Sequence, residues 1–179
     1  MRFKFDEVRA TQAAAILIHL AGDQSNYTKM LKLLYLADRQ SLQEVGAPIA
    51  GASFCNMANG PLASDIYNCI REPEHHEFWS KHIVRVGKYD VKLVANPDDG
   101  KLSDYDVDLL TALHRKYERQ DFGDMIDIVH TLPEWVDPGA TSVPLEPEEI
   151  LQGAGVDGEA ISEYRERNQH LAYVDELLA

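Results

Sequence analysis

Between Met30 and Ala37 every position is apolar or aromatic except Lys32. A helix with that pattern is apolar nearly all round, so it belongs in the middle of a domain with other helices on several of its faces. Residues 28–39 read T-K-M-L-K-L-L-Y-L-A-D-R, and their polar character changes abruptly at Asp38 and Arg39. Lys32, Tyr35, Leu36 and Arg39 fall at i, i+3, i+4 and i+7, so two cations flank one stripe of the helix. Spacing leaves two readings open: a core helix whose long cations reach out to water, or a charged end that contributes to a binding face. The helix extends through Ser41 and Leu42 to about Val45, where Gly46 and Pro48 stop it.

The same reasoning divides the rest of the chain. Asp6 is a candidate N-cap and Gly22 a candidate C′ residue for a first helix, whose core face is Val8, Ala14, Ala15, Ile18 and Ala21. A short polar loop at 23–27 joins it to the central helix. Residues 46–59 have neither helical nor strand period and predict an irregular segment with one short extended piece. Asn59-Gly60-Pro61 reads as a helix start, followed by an apolar stripe of Leu62, Ile66, Cys69 and Ile70 that ends at Pro73. A short helix or turn carries Phe78 and Trp79. Two alternating arms flank Gly87-Lys88 and predict a β-hairpin near 83–95, which must pack on the helices or pair with a third strand. Ser103 and Asp106 form a capping box for a helix with Val107, Leu110, Leu113 and Tyr117 inward. Short helices over 124–132 and 148–151 follow, then a final amphipathic helix from Glu159 with the stripe Ile161, Tyr164, Leu171, Val174 and Leu178. The predicted fold is mainly α (α+β): a compact helical domain around a central apolar helix, with one inserted hairpin. The domain spans 1–150, and 151–179 is a C-terminal amphipathic helix packed on it. Alternating βαβ order is absent, which argues against a doubly wound sheet.

Charge narrows the partners. Seventeen Lys and Arg stand against 30 Asp and Glu, a formal net charge of −13. That balance disfavours nucleic acid unless a partner supplies basic surface, and it steers cationic partners toward the chain. The opening M-R-F-K-F-D lacks an apolar secretory stretch, and the longest apolar run, 13–20, is far too short to span a bilayer. With only Cys55 and Cys69 as thiols, a cytoplasmic protein with reduced cysteines is expected.

Chemistry has few local signals. The seven histidines fall in no H-E-x-x-H or C-x-x-C arrangement, and adjacent His75 and His76 point apart on a helix. A metal site from His114, His130 and an aspartate is geometrically open without a spacing that points to it, and a small metal-dependent hydrolase using the histidines and acidic side chains is the rival from another class. No phosphate-binding glycine loop or nucleophile elbow occurs. Cys69 lies on an apolar stripe as a core residue would, and nothing marks Cys55 as activated.

Several stretches taken in order carry a resemblance: K-L-L-Y-L-A-D-R at 32–39, G-A-P-I-A-G at 46–51, G-P-L at 60–62, the Trp79 segment, L-S-D-Y-D at 102–106 and H-T-L-P-E-W at 130–135. The set resembles the Panacea domain, the SocA-like antitoxin family, some of whose members carry the label phage-associated protein. The resemblance covers about 5–150. It implies a mainly helical domain that serves as the antitoxin of a toxin–antitoxin system, without catalytic residues or a cofactor. The implied partner is a cognate toxin protein encoded by an adjacent gene, neutralised by direct protein–protein binding. A SocA-type member is instead an adaptor delivering its toxin to a protease, which is the first alternative. The motif positions Lys32, Tyr35, Asp38, Arg39, Gly60, Pro61, Trp79, His130, Glu134 and Trp135 are expected to serve architecture or toxin contact. The identity of the toxin does not transfer with the resemblance.

Overall fold

Asp6 and Asn26 each start a helix in the way short polar side chains do, by accepting the orphan amides of the first turn. Asp6 Oδ1 accepts Arg9 N at 3.0 Å and opens α1 (Glu7–Leu20). Asn26 Oδ1 accepts Thr28 N at 2.9 Å and Lys29 N at 3.2 Å and opens α2 (Tyr27–Val45), which Gly46 closes as expected. The computed structural model describes the backbone of residues 3–178, and the side chains through His170 together with Val174. Leu171 and Leu178 of the predicted terminal stripe lie outside the described side chains.

Between these helices the loop expected at 23–27 contains a strand, β1 (Gln24–Asn26). After α2 the chain runs irregularly to β2 (Phe54–Asn56), turns, and returns as β3 (Leu62–Ala63) before α3 (Ser64–Arg71). The expectation that Asn59-Gly60-Pro61 starts a helix is therefore corrected. Leu62 and Ala63 pair with Cys55 and Phe54, and the helix waits until Ser64. A 3-10 turn at Pro73–His75 leads to α4 (Glu77–His82), followed by β4 (Ile83–Val86) and β5 (Asp90–Leu93). This is the predicted hairpin. It acquires the third strand it needs from β1, in the antiparallel order β1-β5-β4.

Ser103 and Asp106 form the expected reciprocal box at the start of α5 (Asp104–Lys116). The next helix, α6 (Phe122–His130), begins earlier than its apolar stripe suggested, because Asp121 and Asp124 make a second capping box. A further strand, β6 (Val143–Leu145), pairs with β2 to complete a small sheet of order β3-β2-β6. The chain closes with α7 (Pro147–Gly153) and α8 (Gly158–Leu178). The fold is mainly α with two small antiparallel sheets.

At the centre, α2 packs against α1, α5, α6, α7 and β3. Ala10, Ala13 and Ala14 of α1 are fully buried and their small side chains allow close helix approach, whereas Ala21 of the expected core face is exposed. The segment after α2 has no ladder of its own, and a buried carboxylate replaces one. Asp38 Oδ1 accepts Ile49 N at 2.7 Å and Ala50 N at 2.8 Å, and Oδ2 accepts Gly51 N at 2.9 Å. A Cβ on Gly51 would sit 2.8 Å from that same Oδ2 and 2.7 Å from Ala63 Cβ, so only glycine lets the amide approach. Burial pushes the Asp38 carboxyl up to about 6, against the pull of its three amide donors. Asp38→Ala would leave those three amides buried without acceptors. At about 1–3 kcal/mol for each orphaned group, the expected loss is on the order of 4 kcal/mol, read as a lower midpoint in urea unfolding.

Candidate functional site

Turning on α2 from Asp38, the stripe Lys32, Tyr35 and Arg39 faces the end of α6 and the loop between β2 and β3. Lys32 is 1% exposed, and its Nζ donates to the carbonyls of Gly60 and Pro61, both at 2.9 Å. A neutral amine has two N–H groups to give, and two carbonyls are there to receive them. Burial pushes the Lys32 ammonium down to about 7, which agrees with that count. Gly60 has φ +95°, and a Cβ there would collide with Val129 Cγ2. Gly60 thus supplies both a left-handed turn and the gap through which α6 meets the loop. Its carbonyl is turned to Lys32 rather than into a first helical turn.

Seven residues along α2, the second cluster forms around Glu134, whose side chain is 0% exposed. Arg39 Nε donates to Glu134 Oε1 at 2.6 Å, Arg39 Nη2 donates to Oε2 at 3.3 Å, and Tyr35 Oη donates to Oε1 at 3.0 Å. The same Arg39 Nη2 donates to the Gly153 carbonyl at 2.9 Å, tying α7 to the pair. A Cβ on Gly153 would overlap the Glu134 carboxylate. Burial first, and the Glu134 charge second, push the Tyr35 phenol well above its usual range. Asn56 Nδ2 donates to the Glu134 carbonyl at 3.1 Å, so β2 joins the cluster as well.

His130 and Trp135 flank Glu134 in sequence and stack on each other, with ring centroids 3.8 Å apart and planes at 15°. Both reach the β2–β3 loop: Trp135 Nε1 donates to the Met57 carbonyl at 3.1 Å, and His130 Nε2 lies 3.0 Å from the Ala58 carbonyl. Trp79 stands apart from this group. It is 2% exposed, and its backbone N–H donates to Glu7 Oε1 at 2.9 Å, anchoring α4 on α1.

Of the ten motif positions, eight meet around the stripe of α2. Asp38 works on the adjacent face, and Trp79 lies at the α1–α4 contact. Sequence reasoning did not single out Asn56, Gly153 or Arg9. Arg9 donates to the Ile49 carbonyl at 2.7 Å and to Asp106 Oδ2 at 2.8 Å, linking α1, the segment after α2 and α5. Only an arginine on an otherwise alanine-rich helix hinted at it.

Chemically, these groups are committed to one another. Both Glu134 oxygens hold donors, and burial pushes the Cys55 thiol up and the Cys69 thiol up to about 12, so neither is a ready thiolate. Among the described residues no three His, Cys, Asp or Glu side chains are grouped to hold a metal ion, and no helix is long and apolar enough to cross a membrane.

The family model of the antitoxin SocA-like Panacea domain matches residues 30–136, from the core of α2 to just past Trp135. The chain belongs to this family. No curated protein and no solved structure matches it. The matched span of the Panacea domain contains the stripe of α2, the Gly60 turn and the His130–Trp135 segment, and it ends before Gly153. Membership points to a protein partner of the toxin kind, and away from an enzyme.

Lys32 generates a prediction about pH. Its folded value of about 7 lies below the 10.5 of an unfolded lysine, so the unfolded chain binds the extra proton between those values. Stability therefore rises with pH across that window and is lost as pH falls toward 7, by up to about 1.4 kcal/mol per pH unit. Above the ordinary thiol range, ionisation of the unfolded cysteines opposes the trend, so slightly alkaline pH is the place to measure. Urea unfolding of the wild type is expected to show the slope and Lys32→Met to lack it, although the variant is less stable throughout. Parallel slopes for the two proteins would mean that Lys32 is charged in the fold.

Proposed function

We propose that this Panacea-domain protein is the antitoxin of a toxin–antitoxin pair, acting in the cytoplasm by stoichiometric binding of its cognate toxin. The observation that carries the reading is the direction of the motif side chains. Lys32, Tyr35, Asp38 and Glu134 are buried against this chain's own backbone and against one another. Enzymes keep their reacting groups in a cleft that substrate can enter, with polar atoms left free to act on it. Here the motif residues hold a scaffold together, and the toxin meets less motif-like surfaces. Residues 1–150 form the domain in this reading, and 151–179 pack on it. Tyr164 and Asn168 of α8 are 7% and 4% exposed, which supports that packing.

Co-expression with the product of the adjacent reading frame tests the reading. Relief of that product's growth inhibition is expected, together with a co-purifying complex of fixed stoichiometry and an unchanged toxin half-life. A shortened half-life would instead favour delivery to a protease, and rescue without any complex would sink direct neutralisation. Arg39→Glu separates scaffold from contact. It places two carboxylates together in a site where Glu134 is fully buried, so a loss on the order of 3 kcal/mol or more is expected in unfolding experiments. Unaltered melting with lost toxin binding would place Arg39 at the interface.

A further inference from the structure

Away from the motif clusters, a groove of about 480 Å³ lies between α1, the end of β5 and the turn at 96–100. Its floor is apolar, from Ala15 and Ile16 on α1 and from Leu93 and Val94 on the strand side. Val94 is 53% exposed, a large aliphatic surface left open to water. The rim is acidic, with Asp23, Asp98 and Asp99 around the opening and no lysine or arginine among the lining residues. His19 is the one basic side chain there, 2.8 Å from Asp23 through Nδ1. The nearby Lys101 is directed elsewhere, to Asp6 at 3.2 Å.

The groove is built in advance. Gln12, 4% exposed, donates through Nε2 to the Pro97 carbonyl at 3.0 Å and accepts Lys101 N through Oε1 at 2.9 Å. One buried amide thereby clamps both ends of the turn to α1. Asn96 Oδ1 accepts Asp98 N at 3.0 Å and fixes the turn internally. An occupant need not order this wall, which lowers the entropic cost of association.

We propose that this groove seats a segment of the toxin in which arginine or lysine side chains lie beside aliphatic ones. The inference rests on the antitoxin reading and names the surface through which it operates. The open carboxylates of Asp98 and Asp99, with Asp23 beside His19, face an apolar floor and complement a side chain with an aliphatic stem and a cationic head. The stem covers the Ile16 and Val94 surface while the head pairs with the aspartates. The net charge of −13 on the whole chain draws such a segment in from a distance.

A defined probe tests the groove independently of any toxin. A short peptide alternating arginine and leucine is titrated into the full-length protein while backbone amide shifts are followed. Saturable shifts confined to Ile16, His19, Val94, Ala95 and Asp99 are expected, weakening as salt is raised. Asp98 has φ +59°, so Asp98→Asn with Asp99→Asn removes charge while keeping a side chain that tolerates the left-handed backbone. The double variant is expected to bind about tenfold more weakly or worse. Val94→Ser, at an exposed position, weakens the leucine contact without touching charge. A control pair on the α3–α4 connection, Glu72→Gln with Glu74→Gln, changes the net charge by the same amount as the Asp98/Asp99 pair and leaves the confined shifts and the affinity nearly as in the wild type. Shifts spread over the whole acidic surface, or affinity indifferent to the Asp98/Asp99 pair, overturn the proposal. So does self-association abolished by that pair, which would assign the groove to a second copy. Failure of the co-expression experiment with intact peptide binding would reject the antitoxin reading and leave the groove standing.

Discussion

A charged or polar group carried into a protein interior must be met there by partners, because water is no longer available to it. The central helix carries four such groups inward, Lys32, Tyr35, Asp38 and the head of Arg39, and each dictates the placement of a segment remote from it. Lys32 requires carbonyls and receives those of Gly60 and Pro61. Asp38 requires N–H donors and receives three in succession from a segment with no regular structure. Arg39 requires an anion, Tyr35 requires an acceptor, and both receive Glu134. Replacing such buried groups by apolar ones of matching shape is often neutral for stability, whereas removing one partner alone is costly. Their contribution here is to specify one arrangement of irregular chain, which an apolar core would leave free to slide.

The specification extends to glycine. Gly51, Gly60 and Gly153 each stand where a Cβ would collide with a member of these clusters or with the helix packed behind it. Backbone and side chain thus meet at closer range than ordinary residues permit. The antitoxin family to which the chain belongs is matched over this inward-looking construction.

What the sequence disclosed follows how local each cause is. The central helix, its stop at Gly46 and the capping box at Ser103 depend on neighbours within a few residues, and each forms where its pattern predicted. The hairpin was legible for the same reason, as was its need to pack on the helices or pair with a third strand. Strand β1 was hidden in a polar loop because its three residues bury little and gain their conformation from β5. Strand β6 contains Pro144 and exists through its pairing with β2. Gly60-Pro61 imitated a helix start, and the pull of Lys32, 28 residues earlier, had no local signature. Both halves of the Arg39–Glu134 pair stood out as motif residues, but nothing in either stretch said that they meet, and Gly153 had no signal beyond being a glycine.

The separation between Arg39 and Glu134 has a consequence for how the protein is made. The two residues are 95 positions apart, and the carbonyl of Gly153 that shares Arg39 comes later still. A ribosome adding about 5–20 residues each second needs roughly 5–20 s to reach the carboxylate after releasing the guanidinium. Throughout that interval the nascent central helix offers a half-formed socket, with apolar flanks and the Arg39 guanidinium awaiting its counter-charge. The scaffold thus closes only after Glu134 and then Gly153 have been made, and a truncated translation product that stops short of Glu134 lacks the latch altogether.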